Sequence, residues 1–215
     1  VDLSEINNVV FTHSHSDHLN TTEICFRLRE MASVIQKKDK KVMNFYGNQA
    51  VYDAIMDMVA KDPHVDMARM AFHPIKKFTP FQVEGLIFTP LKACHKLDEE
   101  ALIFAINDGR STILYANDTG TLPEETWKFI EQQKIKFDVV SMDTCRGTLE
   151  GDTHMGIREN LKMREKLRER NAVKEDTVFY LNHFSHMCGL TPQEYEHLVS
   201  QYGFQLTFDG LSITV

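Results

Sequence analysis

Residues Val9 to Asn20 read VVFTHSHSDHLN, a short apolar run that passes straight into three histidines and an aspartate within six positions. The same arrangement recurs further along. IFTPLKAC is followed by His95, TILYAN leads into Asp118 and TVFYLN into His183. Each of these runs is rich in the β-branched and aromatic residues that favour strands. Four strand termini that each offer a metal-type ligand call for a fold in which strand ends meet along one edge. Layered α/β proteins have that geometry and build their sites from it.

The remaining pattern agrees with an α/β class. TTEICFRLREMASVIQKK has apolar residues at helical spacing, with Thr21 or Thr22 as its N-cap. KVMNFYG is strand-like and NQAVYDAIMDMVAK helical, its Met56 and Met58 reading as core. VEGLIFTPLKACH, ALIFAIND and STILYAND are three β-type segments in succession, and NDGRS between the last two signals a hairpin. PEETWKFIEQQ is a helix with Pro123 in its first turn. FDVVSMDT is a buried-strand candidate and MGIRENLKMREKLRER an amphipathic helix. A strand TVFYLNH, a helix TPQEYEHLVSQYG and a closing hairpin, FQLTF with LSITV around Asp209-Gly210, complete the chain. QKKDKK, residues 36–41, reads as a solvated helix end.

At 215 residues, with no repeat, low-complexity tract or linker, residues 1–215 are expected to form a single domain. The formal charge of −7 argues against a nucleic acid partner, whose phosphates need a basic surface. Cys25, Cys94, Cys145 and Cys188 are scattered and form no CxxC pair, as expected for reduced thiols in the cytoplasm. No apolar run approaches the ~20 residues that span a bilayer, so no membrane partner is expected.

If His13 and His15 leave a strand end two residues apart, their imidazoles point to the same side. Asp17 and His18 follow in a turn and can face a second point a few ångströms away. One cation could take His13 and His15, and another Asp17 and His18. His95 and His183 would complete the two sites, and Asp118 could bridge them. Paired cations about 3.5–4 Å apart suit in-line displacement at an ester centre. His64, His73 and His197 lack neighbouring ligands and read as surface or supporting residues.

THSHSDH resembles the HxHxDH signature of the metallo-β-lactamase superfamily. CHK with His95, YANDTG with Asp118 and LNHFSH with His183 resemble its later motifs, in order. The resemblance runs from Val1 to Val215 and is closest to the PhnP-like cyclic-phosphate phosphodiesterases, whose tails LTFDGLSITV is similar to. It implies an αββα four-layer sandwich. It also implies one cation on His13, His15 and His95, a second on Asp17, His18 and His183, and Asp118 between them. All these ligands are imidazole or carboxylate, which suits two divalent ions, Zn²⁺ first and Mn²⁺ or Fe²⁺ as alternatives.

A metal-dependent hydrolase of a small, cyclic phosphodiester follows, working through a hydroxide activated by the dinuclear centre. HFS also occurs in the tRNA 3′-processing endonucleases, but Met187-Cys188 stands where they continue with Arg and Tyr, so RNA is the second substrate class. A carbon-ester hydrolase of the same fold, a lactonase or thioesterase, is a third, and a non-enzymatic binding module another alternative. A flavodiiron-like oxidoreductase is disfavoured by His15, where those sites usually carry Glu. Asp17 is counted with His154 and His186 among the catalytic candidates. His154, in DTHMGI, either faces the substrate to bind phosphate or protonate the leaving group, or caps the following helix. His186 is either a second active-site group or a partner that orients a ligand. Asp143 ends a strand and could orient a ligand histidine, although a structural role is preferred. Members of this family carry several strands before HxHxDH. An N-terminally truncated chain is therefore expected, with an open sheet edge that a partner could cover, as in a homo-oligomer.

Overall fold

The computed structural model describes residues 5–29 and 41–214. It divides into two compact units, one built from residues up to Lys76 together with Glu99–Ala101, the other from Lys77–Asp98 and from Leu102 onward. Among the described residues no helix is long and apolar enough to cross a membrane.

The first unit holds β1 (Asn8–Val10), α1 (Thr21–Leu28), β2 (Met43–Gly47), α2 (Gln49–Val59) and β3 (Met70–Pro74). The strands form a parallel sheet in the order β1-β2-β3, with Val9 opposite Phe45 and Phe45 opposite Phe72. Parallel pairing demands a crossover, and α2 supplies it between β2 and β3. Phe11, Leu19, Ile24, Leu28, Met43, Phe45, Val51 and Ile55 form the core, with Met58 packed against it. β3 has no counterpart in the sequence reading, because MAFHP is short and none of its side chains is fully buried.

Helix α1 departs from expectation at both ends. Its N-cap is Asn20 and not a threonine: the Asn20 side chain accepts the Thr22 and Glu23 amides at 3.1 and 3.2 Å. The helix also stops at Leu28, where periodicity suggested it would continue, because Arg29 takes an extended backbone and bridges to Val65. The rest of the expected helix and the basic stretch up to Lys40 lie outside the described residues.

Arg29 Nε donates to Asp62 Oδ2 at 2.7 Å, and the Cys25 thiol donates to the same oxygen. The Cys25 hydrogen bond, the His64 amide and the Arg29 guanidinium together hold the Asp62 carboxyl down, from 3.8 to about 2. A carboxyl whose folded pKa is depressed contributes stability above its unfolded value and loses it as pH falls through the folded value. The pH-dependent part of the stability difference between the parent protein and Asp62→Asn is therefore expected to be constant above about pH 5 and to be lost progressively as pH falls to 2 and below. Denaturant melts at a series of pH values check this, and a difference that grows toward pH 2 would contradict it.

The second unit holds β4 (Phe81–Val83), β5 (Leu86–Lys92), β6 (Leu102–Asn107), β7 (Thr112–Ala116), α3 (Glu124–Gln132), β8 (Phe137–Asp143), α4 (Ile157–Glu169), β9 (Val173–Asn182), α5 (Pro192–Ser200) and β10 (Gln205–Leu206). Their sheet runs β10-β9-β8-β7-β6-β5-β4. Strands β4 to β7 pair antiparallel, while β7, β8, β9 and β10 run parallel. The NDGRS hairpin is present, closed by the Asp108 amide on the Ser111 carbonyl at 3.3 Å. Pro123 stands just outside α3, at its N-cap.

The closing hairpin is not formed. β10 pairs parallel with β9, Gln205 opposite Tyr180, and residues 211–214 join no strand. The intervening α5 carries the chain back, so β10 runs in the same direction as β9, while residues 211–214 bury no side chain fully and so gain little from pairing with β10. Asp209-Gly210 then makes only a local turn, in which the Leu211 amide reaches the Phe208 carbonyl.

Candidate metal centre

In the first unit the histidine cluster leaves β1 through Phe11, whose amide still pairs with the Tyr46 carbonyl at 2.8 Å. The His18 and Leu19 amides then both return to the His15 carbonyl, making a tight turn that the buried Leu19 and the Asn20 cap anchor. Nε2 of His13 lies 3.0 Å from Nδ1 of His15, the shared side expected from a two-residue spacing. Thr12 Oγ1 holds Nδ1 of His13 at 2.9 Å, and the His18 ring packs 4.4 Å from that of His13. Asp17 is exposed, its Oδ2 3.6 Å from His18 Nε2. The clamp on this loop was invisible in the sequence. Glu99 accepts the Ser14 amide on one oxygen and the Ser14 hydroxyl on the other, both at 2.7 Å, from 85 positions away.

In the second unit, strand direction gathers the remaining candidates. β7, β8 and β9 are adjacent and parallel, with Ala116 opposite Met142 and Asp143 opposite Asn182. Asp118, Asp143 and His183 therefore stand at neighbouring carboxyl ends. β5 runs the same way, two antiparallel steps from β7, and brings His95 to that edge. Asp118 and His183 both adopt left-handed backbone, at φ 53° and 58°. A non-glycine residue there stores strain of about 1–3 kcal/mol, which persists where the surroundings enforce it and clusters at functional sites.

The loops are then tied together. The Gly120 amide donates to the Cys94 carbonyl at 2.8 Å, and the Cys94 amide to Thr119 Oγ1 at 2.9 Å. Gly120 also lies so close to the loop bearing His154 that a Cβ there would sit 1.8 Å from the Asp152 carbonyl oxygen. No larger residue fits.

Hydrogen bonds set the tautomers. A carbonyl can only accept, so the 3.0 Å contact between His95 Nδ1 and the Thr153 carbonyl puts the proton on Nδ1. In the neutral ring the lone pair is then on Nε2, the atom 3.7 Å from Asp118 Oδ1. His183 Nε2 is 3.3 Å from Asp118 Oδ2, and its Nδ1 is 3.3 Å from Asp143 Oδ2. Bonds of about 2.0–2.2 Å to a zinc-like ion place neighbouring ligand atoms about 3.0–3.6 Å apart. The Asp118 separations from His95 and His183 are close to that range, and imidazole with carboxylate is a suitable donor set for a divalent cation.

Asp143 is fully buried, and its role exceeds what the sequence suggested. Oδ1 accepts the Cys145 and Met155 amides at 2.9 and 3.2 Å, and Oδ2 accepts from His154 Nδ1 at 2.7 Å. Burial pushes its carboxyl up, but the bonds from His154, His183 and the Cys145 amide outweigh it and hold the group below the usual carboxylate value. Asp143 is therefore an ionised acceptor that fixes His154 and faces His183. His154 does not cap α4: Gly156 takes that position, its amide bonded to the buried Glu159 at 3.0 Å. His186 is exposed on the short 3-10 turn His186–Cys188 and joins none of the groups of converging ligand atoms found among the described residues. His64 and His197 are exposed, and His73 stacks on Tyr46 and bonds Asn44.

The model of the β-lactamase superfamily domain matches residues 1–174, and the chain belongs to that superfamily. A diphosphatase of the PhnP family superposes with a TM-score of 0.73 at 19% identity, over 99% of this chain and 73% of the other. YhfI, a metallo-β-lactamase fold protein of Bacillus subtilis, gives 0.65 at 14% identity over 95% and 76%. The short form of human tRNase Z gives 0.60 at 14% identity over 98% and 80%. These likenesses show the metallo-β-lactamase fold that the sequence motifs implied. No curated protein sequence matches the chain.

Proposed function

We propose that the protein is a metal-dependent phosphodiesterase acting on a small, cyclic or otherwise compact, phosphodiester. The observation that carries this reading is the single edge of parallel strands where His95, Asp118, Asp143, His154 and His183 converge, within a superfamily match that includes the HSHSDH loop. In this reading His13, His15 and His95 hold one divalent cation, Asp17, His18 and His183 a second, and Asp118 serves both. Bound cations supply Lewis acidity, lowering the pKa of water and offsetting charge on phosphoryl oxygens. The chain's own residues do the rest. Asp143 holds Nδ1 of His154, so that His154 presents Nε2 outward. Protonated there, His154 hands its proton to the departing alkoxide. The exposure of His186 favours His154 for this task.

A diphosphatase and a tRNase among the similar structures support phosphoester chemistry over carbon esters, and the charge of −7 favours a small substrate over RNA. The test is elemental analysis of the purified protein, followed by turnover of bis(p-nitrophenyl) phosphate, cyclic ribosyl phosphates, a precursor tRNA and a lactone with Zn²⁺, Mn²⁺ or Fe²⁺. Phosphodiester hydrolysis with metal bound is expected. Lactone hydrolysis alone, or cleavage of the tRNA alone, would overturn the assignment.

Glu99 gives a further expectation. Removing its two bonds to Ser14 leaves the HSHSDH loop without its clamp, and partners that orient metal ligands typically contribute about 10–100-fold to metal affinity. Glu99→Ala is expected to weaken cation binding by that factor, read by competition with a chelating dye. Unchanged affinity would show that the turn around His15 holds itself.

A further inference from the structure

Cys145 lies outside every motif of the sequence, yet its thiol sits beside the site. Its Sγ, with one ring nitrogen each from His154 and His183, forms a group whose ligand atoms all lie within 4.8 Å of one another. The thiol is buried, and the residue is pinned at both ends of its peptide unit. Its amide donates to Asp143 Oδ1 at 2.9 Å, and its carbonyl accepts from Ser185 Oγ at 2.9 Å. A second group of converging ligand atoms, Asp118, Asp143, His154 and His183, uses the same two histidines. The edge thus offers two overlapping donor sets, one with carboxylates and one with sulfur.

We infer that Cys145, His154 and His183 form a site for a soft divalent cation such as Cd²⁺ or Zn²⁺, and that its occupation withdraws the two histidines from the carboxylate-bearing set. Thiolate with imidazole selects soft and borderline ions, whereas carboxylate with imidazole also serves Mn²⁺. Thiolate and imidazole are both zinc ligands, and a water completes four-coordination. On binding, the Sγ–H bond is replaced by an Sγ–metal bond and the proton passes to the buffer. No oxidant is required. The inference shares His154 and His183 with the phosphodiesterase reading, but the two fail separately, because sulfur ligation is measured without turnover.

The test uses the whole chain, stripped of metal and titrated with Co²⁺. A near-ultraviolet thiolate-to-cobalt charge-transfer band is expected in the parent protein and in Cys25→Ser, Cys94→Ser and Cys188→Ser, and is expected to be lost in Cys145→Ser. Cd²⁺ affinity should fall at least tenfold in Cys145→Ser, while Mn²⁺ affinity changes less than twofold. Should Cys145→Ser not fold, X-ray absorption of the cadmium-loaded parent protein decides, and a sulfur in the first coordination shell is expected. No sulfur in that shell, no charge-transfer band at saturating Co²⁺, or a band that survives in Cys145→Ser would overturn the inference.

Discussion

Asp118→Asn is expected to keep the fold and to abolish hydrolysis, by about a thousandfold or more, the equivalent of the several kcal/mol that metal-ion catalysis supplies. The position favours a clean substitution. Asparagine has the size of aspartate and is among the few residues that tolerate the left-handed backbone found here at φ 53°. The side chain is buried, so a change of volume would disturb its neighbours, and this substitution makes none. What it removes is the negative charge between Nε2 of His95 and Nε2 of His183, 3.7 and 3.3 Å away. An amide nitrogen donates where a carboxylate oxygen accepts, so one side of the group turns from acceptor to donor. Metal content, circular dichroism and turnover of bis(p-nitrophenyl) phosphate measured on one preparation check all three consequences. A folded Asp118→Asn protein with two cations and full turnover would take Asp118 out of the centre.

Asp143→Ala should have the largest effect on stability. Four groups converge on this carboxylate: the amides of Cys145 and Met155, Nδ1 of His154 and, at 3.3 Å, Nδ1 of His183. Alanine leaves the amides of Cys145 and Met155 without this acceptor, and losing one partner of a buried polar cluster costs about 3–5 kcal/mol. A shift of that size in denaturant unfolding is expected, together with loss of activity. Asp143→Asn separates the two roles. Its oxygen can keep the amides of Cys145 and Met155, but its NH₂ faces His154 Nδ1 and forces the other tautomer. Stability should then be largely retained, with activity reduced about 10–100-fold, the range seen when a ligand-orienting partner is changed. An Asp143→Asn enzyme with parent activity would confine Asp143 to a structural role.

Local signals were sufficient for most of the elements. Strands such as Asn8–Val10 within INNVVF, Met43–Gly47 and Leu102–Asn107 announce themselves as apolar runs, and the NDGRS turn is a property of five adjacent residues. The failures have a common cause. α1 stops at Leu28 because Arg29 is engaged by Asp62, 33 positions away, and propensity contains no information about that partner. The terminal hairpin fails because residues 211–214 bury no side chain fully, whereas Asp209-Gly210 signals only a local reversal. Short β3 lies beside β2 through sheet pairing that its own composition does not demand.

The candidate site divides along the same line. The spacing of His13 and His15 determined by itself that their rings share a side, because alternation in an extended chain is a local rule. Residue type at the ends of β5, β7 and β9 likewise marked His95, Asp118 and His183 as candidate ligands before any coordinates. Only the tertiary structure decided what holds those groups and which atoms they present. Glu99 reaches Ser14 across 85 positions, Asp143 becomes the acceptor for His154, and Cys145 arrives beside two histidines it never neighbours in sequence. Ligand identity is written in side-chain chemistry, but tautomer, strain and support depend on hydrogen bonds between strands and loops brought together by the sheet.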